Sequence, residues 1–305
     1  MRLKDNMNMR DLINRREFLQ SAMVIAAASR VSGQAPVANE WDGPVLDIHL
    51  HPRATTEGNL LHMEGSGVAK AVLLAGASAE DRASRAVAGQ PHRFVRFASI
   101  DVIQPDAVDR LRRSIQNGAV GFGEIKSRVE AAGPEMQRLY ALASELNVPI
   151  TIHFQEDTQG TFNSGLKTFD AMLKAFPKTK FIGHANAFWA NVSADYADDV
   201  SYPKSPIKPG GVTDRFLGDY ANLYGDMSAN SANNFLNRDP EFAAGFLERH
   251  QDKLMFGSDC PCPDGRGGAT GTCIARATLT MLKKLVSPAV FRKITWENGT
   301  RLIAT

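Results

Sequence analysis

From residue 44 onward, short apolar or β-branched runs alternate with longer segments that are apolar at helical spacing. This alternation is typical of repeated βα units and a parallel sheet. Eight βα units close naturally into a (β/α)8 TIM barrel, whereas an open doubly wound sheet usually has a glycine-rich first turn, and no G-x-G-x-x-G follows the first run. We therefore predict an α/β fold with one barrel domain and these eight strands: Val45–His51, Ala71–Ala75, Phe94–Ile100, Ala119–Glu124, Pro149–Phe154, Lys180–His184, Leu223–Met227 and Lys253–Ser258.

The segments between these runs carry helix-start signals. Pro134 begins a predicted helix over Glu135–Asn147, and Asp239-Pro240 and Ser287-Pro288 are N-cap and first-turn pairs that open two more. The long segment from 185 to 219 is rich in Pro, Gly, Asp and Tyr, and an insertion after a barrel strand usually covers the active-site mouth. Apolar residues at helical spacing should pack on the barrel rather than bind a cofactor: Leu111, Ile115, Leu139, Leu142, Leu146, Phe242, Phe246, Leu279, Leu282 and Leu285.

The N-terminus has the pattern of an export signal. The segment Asn14–Gln20 contains paired arginines, and the apolar run Ala22–Ala28 and a small, polar stretch follow it. This resembles a twin-arginine signal, with an ordinary basic amphipathic helix as the alternative. We predict a signal peptide over residues 1–38, a catalytic domain over 39–305, passage through the twin-arginine machinery and a periplasmic location. Cleavage after Ala35, near Ala38 or in the preceding alanine run would each fit this pattern.

Charge and hydropathy restrict the partners. The chain has 35 basic and 33 acidic residues, a balance that argues against a nucleic-acid or anionic-membrane surface and favours a small-molecule substrate. No apolar run reaches 18 residues, so we expect no stable membrane anchor. The sequence carries no signal for oligomeric state. Cys260, Cys262 and Cys273 lie close together, and in an exported protein one bridge to Cys273 is expected, which leaves one thiol over. The alternatives are a buried free cysteine and, for Cys260, which directly follows a candidate metal ligand, a role near the metal.

The candidate chemistry lies at the ends of the predicted strands. In Asp47-Ile48-His49-Leu50-His51, alternate residues of a strand point to the same side, so the two imidazoles can share one metal ion. His153 and His184 end the fifth and sixth runs, Glu124 ends the fourth and Asp259 follows the eighth. Barrel enzymes keep their active sites at this end of the strands. Imidazole and carboxylate together suit zinc, and also manganese, iron or nickel.

These residues resemble the motifs of the amidohydrolase superfamily, in its amidohydrolase-related (amidohydrolase 2) branch of metal-dependent hydrolases. The likeness spans Val45 to Ile303 and includes Gly-Phe-Gly-Glu-Ile-Lys, Gly-Ser-Asp and the closing Glu-Asn-Gly-Thr-Arg-Leu. The resemblance implies one or two divalent ions, with His49, His51 and Asp259 on the more buried one, and His153 and His184 on a second ion or on the substrate. Glu124 would bridge, in the place of the carboxylated lysine of other branches. Lys126, on the same face, is the alternative.

The resemblance implies that a metal-activated water attacks a C–O or C–N bond of a lactone, cyclic amide or ester. Asp259 would carry the proton, and a second cation, His184 or Lys126 would polarise the carbonyl. Two alternatives stay open, a metal-dependent non-oxidative decarboxylase on the same fold and a non-catalytic periplasmic binding barrel. Five residues of the neighbouring loops are candidates for binding a substrate carboxylate or ring: Lys126, Arg128, Asn186, Trp189 and Arg266.

Overall fold

A computed structural model describes residues 40–304, and the predicted signal peptide lies outside them. Within these residues, eight parallel strands form one sheet in the order β1-β2-β3-β4-β5-β8-β9-β10. Each of the eight apolar runs contributes one of these strands, so the predicted (β/α)8 barrel is confirmed. The strands are β1 (Leu46–Leu50), β2 (Lys70–Ala75), β3 (Phe94–Ala98), β4 (Phe122–Ile125), β5 (Pro149–His153), β8 (Lys180–His184), β9 (Leu223–Met227) and β10 (Leu254–Phe256).

Helices alternate with the barrel strands. The predicted starts are confirmed: Pro134 begins one helix, the Asp239 side chain accepts from the Phe242 N–H at 3.1 Å, and Ser287 Oγ accepts from the Val290 N–H at 3.3 Å. The helices are α1 (Thr56–Ser66), α2 (Glu80–Gly89), α3 (Ala107–Gln116), α4 (Pro134–Leu146), α5 (Asp170–Ala175), α6 (Ala185–Ala190), α7 (Val212–Asp219), α8 (Ala229–Arg238), α9 (Pro240–Arg249), α10 (Ile274–Leu285), α11 (Pro288–Arg292) and α12 (Asn298–Ile303), with a 3-10 turn at Leu166–Thr168 and a π turn at Lys293–Glu297.

A buried aspartate, Asp47, connects the first barrel strand to the residues that follow the last one. Asp47 Oδ1 accepts from the backbone N–H of Ser258 at 2.9 Å, and Asp47 Oδ2 accepts from its hydroxyl at 2.5 Å. The Asp259 N–H then donates to the His49 carbonyl at 2.8 Å. These bonds fix β1 and the residues after β10 relative to each other, which sets the spacing of two predicted ligands.

The apolar positions predicted for the helices pack as expected. Leu111, Leu139 and Leu279 are buried, while Ile115 and Leu285 are partly buried against the same core. A short antiparallel hairpin, β6 (Gln155–Asp157) with β7 (Gly160–Phe162), follows β5 and was not predicted, because its strands are only three residues long. Among residues 40–304, none of the helices combines the length and hydropathy that a membrane span requires.

The expected disulfide bridge to Cys273 is absent among the described residues, so this prediction is wrong. All three cysteines are free and buried, and the sulfur atoms of Cys260 and Cys273 are 3.8 Å apart. A disulfide bond is about 2.05 Å long, so the two thiols are adjacent but not bonded.

Candidate metal centre

Two imidazoles and two carboxylates converge at the carboxyl end of β1. His49 Nε2 lies 3.8 Å from Glu124 Oε2 and 4.0 Å from Asp259 Oδ1. His51 Nε2 lies 3.6 Å and 3.4 Å from the same two oxygens. The alternation of the strand therefore brings both histidines to one cluster, with His49 fully buried and half of the His51 side chain exposed.

Glu124 connects this group to the histidines of β5 and β8. Its other carboxylate oxygen, Oε1, lies 3.4 Å from His184 Nε2 and is hydrogen-bonded to His153 Nδ1. The second ring nitrogen of His153 is hydrogen-bonded to Gln155 Oε1 at 2.9 Å. The structure thus brings together all six residues predicted as ligands, with one oxygen of Glu124 toward each pair of histidines.

The hydrogen bonds of His49 and His51 fit a bound cation. The Nδ1 atom of His49 is paired with the Asp226 carboxylate at 2.5 Å, and the Nδ1 atom of His51 with the Leu74 carbonyl at 3.1 Å. These partners only accept, so Nδ1 of each ring carries a proton and Nε2 is the nitrogen that faces Glu124 and Asp259. In the neutral form of either ring, that Nε2 atom offers a lone pair to a cation. His49 Nε2 is buried with no hydrogen-bond partner among the described residues. Imidazole nitrogens and carboxylate oxygens suit a divalent transition metal, so the donor set fits the expected ion.

Asp226 is a buried part of the centre that the sequence analysis missed. Its Oδ2 atom contacts His49 Nδ1 at 2.5 Å and His184 Nδ1 at 3.2 Å, and the Ser228 hydroxyl lies 2.9 Å from the same nitrogen of His184. Asp226 therefore orients two candidate ligands through their outer nitrogens. An acidic residue inside the otherwise apolar seventh run, Leu223–Met227, was the signal available in the sequence.

Opposite charges keep the buried carboxylates ionised. Burial alone would raise the pKa of Glu124, but hydrogen bonds from His153 and His184 outweigh it and hold that pKa well below the usual range. Burial likewise opposes ionisation of Asp259, whose pKa is nonetheless lowered by the charge of His49 and the hydrogen bond from His51. The cluster therefore presents negative charge to any cation that enters it.

Contacts outweigh the effect of burial on the pKa of His184, whereas burial dominates the pKa of Asp47. Burial would lower the pKa of His184, yet its contacts with Asp226 and Glu124 raise that pKa to about 10. Burial dominates for Asp47 and raises its pKa to about 7 despite hydrogen bonds from Ser258 and the His49 backbone. A bound cation would compete with the proton on His184 for the Nε2 lone pair.

Two predicted substrate-binding residues lie beside the cluster. Lys126 Nζ is 5.0 Å and the Arg128 guanidinium 4.7 Å from the centre of the Phe162 ring. Phe162, at the end of β7, also meets the His153 ring edge-to-face at 5.9 Å. Lys126 therefore lies at the half-buried ring of Phe162, while Glu124 occupies the position between the histidines.

The other three predicted substrate residues have different surroundings. Asn186 donates to Asp157 Oδ2 at 3.1 Å and so ties α6 to the β6–β7 hairpin. Arg266 is exposed in the loop after β10. The prediction that Trp189 binds substrate is wrong, because its side chain is only 1% exposed and stacks on Phe235 in the core. This leaves no surface of Trp189 for a substrate.

Comparison with known proteins assigns the family. The family model described as amidohydrolase matches residues 49–304, which is most of the chain. The chain therefore belongs to the amidohydrolase family, whose members are generally metal-dependent enzymes. No curated protein sequence matches the chain significantly.

Solved structures confirm the barrel. A probable 2-pyrone-4,6-dicarboxylic acid hydrolase from Acinetobacter baumannii is 15% identical with a TM-score of 0.57, and the match covers 86% of this chain and 100% of that one. A 2,6-dihydroxybenzoate decarboxylase from Rhizobium is 16% identical with a TM-score of 0.54, covering 85% and 98%. An uncharacterised TIM-barrel protein from Bordetella bronchiseptica is 15% identical with a TM-score of 0.60, covering 86% and 99%. At these identities the likeness establishes the fold.

Proposed function

We propose that this protein is a metal-dependent hydrolase that cleaves a C–O or C–N bond in a small carboxylated molecule such as a lactone, cyclic amide or ester. The observation that carries the proposal is the convergence of histidine Nε2 atoms on Glu124 and Asp259, with His49 Nε2 buried and unpaired. A lone pair buried in this way is stabilised by a cation.

The six strand-end residues would hold one or two ions, and zinc suits their nitrogen and oxygen donors. When bound, such an ion polarises a substrate oxygen and makes hydroxide available near neutral pH. Asp226 keeps the proton of His49 on Nδ1, because a buried carboxylate can only accept there. The chain itself therefore fixes the direction of that lone pair.

Asp259 is the residue best placed to move a proton. Its side chain is 29% exposed, whereas that of Glu124 is 11% exposed and that of His49 fully buried. A carboxylate at the border between cluster and solvent can accept a proton from the attacking water and return it to the leaving group. Its backbone N–H bond to the His49 carbonyl holds it beside the histidines.

Lys126, Arg128 and Phe162 suggest the substrate class. Two exposed cations over one aromatic ring, next to His153, form a surface for a carboxylate attached to a flat ring. The A. baumannii hydrolase and the Rhizobium decarboxylase have names that describe acids of this kind. The same surface would serve a non-oxidative decarboxylase, which is the second candidate function.

The experiment is a screen of metal-loaded enzyme against lactone, cyclic amide and aromatic carboxylic acids. Ring opening without release of carbon dioxide supports the hydrolase, and carbon dioxide release supports the decarboxylase. Asp259→Asn should lower turnover about 10² to 10⁴-fold, as loss of a general base does. Asp109→Asn, at an exposed site on α3, is the matched control. Full turnover after removal of metal, or in Asp259→Asn, would contradict the mechanism.

We also propose that residues 1–38 direct export by the twin-arginine route to the periplasm. The paired arginines before an apolar run support this. Arg15→Lys combined with Arg16→Lys should abolish the periplasmic fraction while the cytoplasmic fraction accumulates. Unchanged periplasmic yield would contradict the proposal.

A further inference from the structure

A second group of metal-binding side chains lies outside the histidine and carboxylate centre. It consists of His62 on α1, Cys260 just after β10, and Cys273 at the residue before α10. One ligand atom from each residue lies within 4.8 Å of the other two. The exposure of the three residues is 0%, 6% and 5%, so the group is closed to bulk solvent.

The hydrogen bonding of His62 leaves a lone pair without a partner. Its Nδ1 atom lies 2.8 Å from the Cys262 carbonyl oxygen, which can only accept, so the ring proton is on Nδ1. His62 Nε2 is buried with no hydrogen-bond partner among residues 40–304. Burial lowers the pKa of His62 to about 4, so the ring is neutral at physiological pH. An oriented, neutral imidazole of this kind is the form that ligates metals.

The spacing of the sulfur atoms also fits a shared cation. Cys260 Sγ and Cys273 Sγ are 3.8 Å apart. Two thiolates on one tetrahedral zinc ion, each with a Zn–S distance of about 2.3 Å, are about 3.8 Å apart. A disulfide would require the atoms to approach to about 2.05 Å. The same distance allows a weak S–H···S hydrogen bond between the two thiols, and it also suits two ligands of one ion.

A cationic side chain is hydrogen-bonded to the loop that begins at Cys260. The Arg53 guanidinium donates from Nη2 to the carbonyl oxygens of Cys260 at 3.0 Å and Cys262 at 2.7 Å. It is therefore held against the same loop. Ionised sulfur is costly to bury, and a positive charge on the same loop lowers that cost.

We propose that His62, Cys260 and Cys273 bind a structural zinc ion, with an enclosed water molecule as the fourth ligand. Thiolate and imidazole donors select thiophilic ions of this class. The ion would join α1 to both ends of the loop at 261–272, which begins two residues after Asp259. It would thereby hold the loop beside the catalytic centre. None of its three protein ligands is a candidate ligand of that centre.

Cobalt spectroscopy on the full chain separates this site from the catalytic one. The six catalytic candidates offer only nitrogen and oxygen, so thiolate-to-cobalt charge-transfer absorption in the near ultraviolet reports the cysteine site alone. Reduced protein loaded with Co²⁺ should show this absorption. Cys273→Ser should abolish it and remove one zinc ion per chain from the zinc-loaded protein. His62→Gln should shift or weaken the absorption.

Cys262→Ser is the matched control. The Cys262 sulfur is buried in the same loop but is hydrogen-bonded to Asp264 Oδ1 at 3.0 Å and to the Gly267 N–H at 3.1 Å, so its removal should leave absorption and zinc content unchanged. If the reduced, Co²⁺-loaded wild-type protein lacks this absorption, the proposal is wrong. That result does not depend on whether the variants fold. A Cys260–Cys273 disulfide that persists in the purified, zinc-supplied protein would overturn it as well.

Discussion

Asp226→Asn is expected to weaken metal binding without removing any ligand. Asp226 is fully buried, and its Oδ2 atom is paired with the Nδ1 atoms of His49 at 2.5 Å and His184 at 3.2 Å. Asparagine keeps the shape but loses the negative charge that makes both rings better donors. Loss of one outer partner of a ligating histidine typically weakens metal affinity about 10 to 100-fold. Because one carboxylate serves two histidines here, we expect about 100-fold, or ~2.7 kcal/mol.

In the assay, the apo-enzyme competes for the metal ion with a chelator of known affinity. The measured quantity is the free metal concentration at which half of the enzyme is loaded. Asp214→Asn is the matched control, because Asp214 also pairs with a histidine, His250, at 2.6 Å but is absent from the cluster. It should leave metal affinity unchanged. Wild-type metal affinity in folded Asp226→Asn would refute the argument that this carboxylate sets the donor strength of the centre.

Three further substitutions test packing, capping and charge. Gly257→Ala would put a β-carbon 2.4 Å from Asp226 Oδ1. Thermal unfolding should therefore show a loss of about 1–3 kcal/mol in the free energy of unfolding, together with weaker metal binding. Asp239→Ala removes the cap of α9 and the acceptor of the Ile207 N–H at 3.0 Å, and denaturant titration should show a loss of about 1–2 kcal/mol. Burial would raise the pKa of Asp214, but the hydrogen bond from His250 lowers it. Its stabilising effect is therefore complete above the unfolded pKa of about 3.9 and lost at lower pH, so the stability difference between Asp214→Asn and wild type should shrink as pH falls below about 4.

The position of the six candidate ligands could be predicted because it depends only on local order. Each lies within two residues of the end of an apolar run, and the carboxyl ends of parallel strands in a barrel meet at one face. The alternation within β1 then places His49 and His51 on one side. No long-range information beyond strand counting was needed for this part of the site.

The missed residues depend on contacts between distant segments. Asp226 contacts His49 across 177 residues of sequence, and nothing in the pattern of β9 shows which neighbour its side chain meets. Phe162 reaches His153 only because a three-residue hairpin follows β5. Trp189 was assigned to the mouth from its place after a strand, but the packing of α6 on α8 buries it against Phe235.

Barrel closure and the candidate metal centre are built from the same hydrogen bonds. Asp47 accepts from the backbone N–H of His49 and from the backbone and hydroxyl of Ser258, each at 2.9 Å or less. These bonds join β1 to the chain after β10 and simultaneously set where the next residue, Asp259, begins. Because the Asp259 N–H bonds to the His49 carbonyl, its carboxylate is held within 4.0 Å of both imidazoles of β1. A fold that closes incorrectly at this gap would therefore also lack a metal centre, which couples folding of the barrel to metal loading.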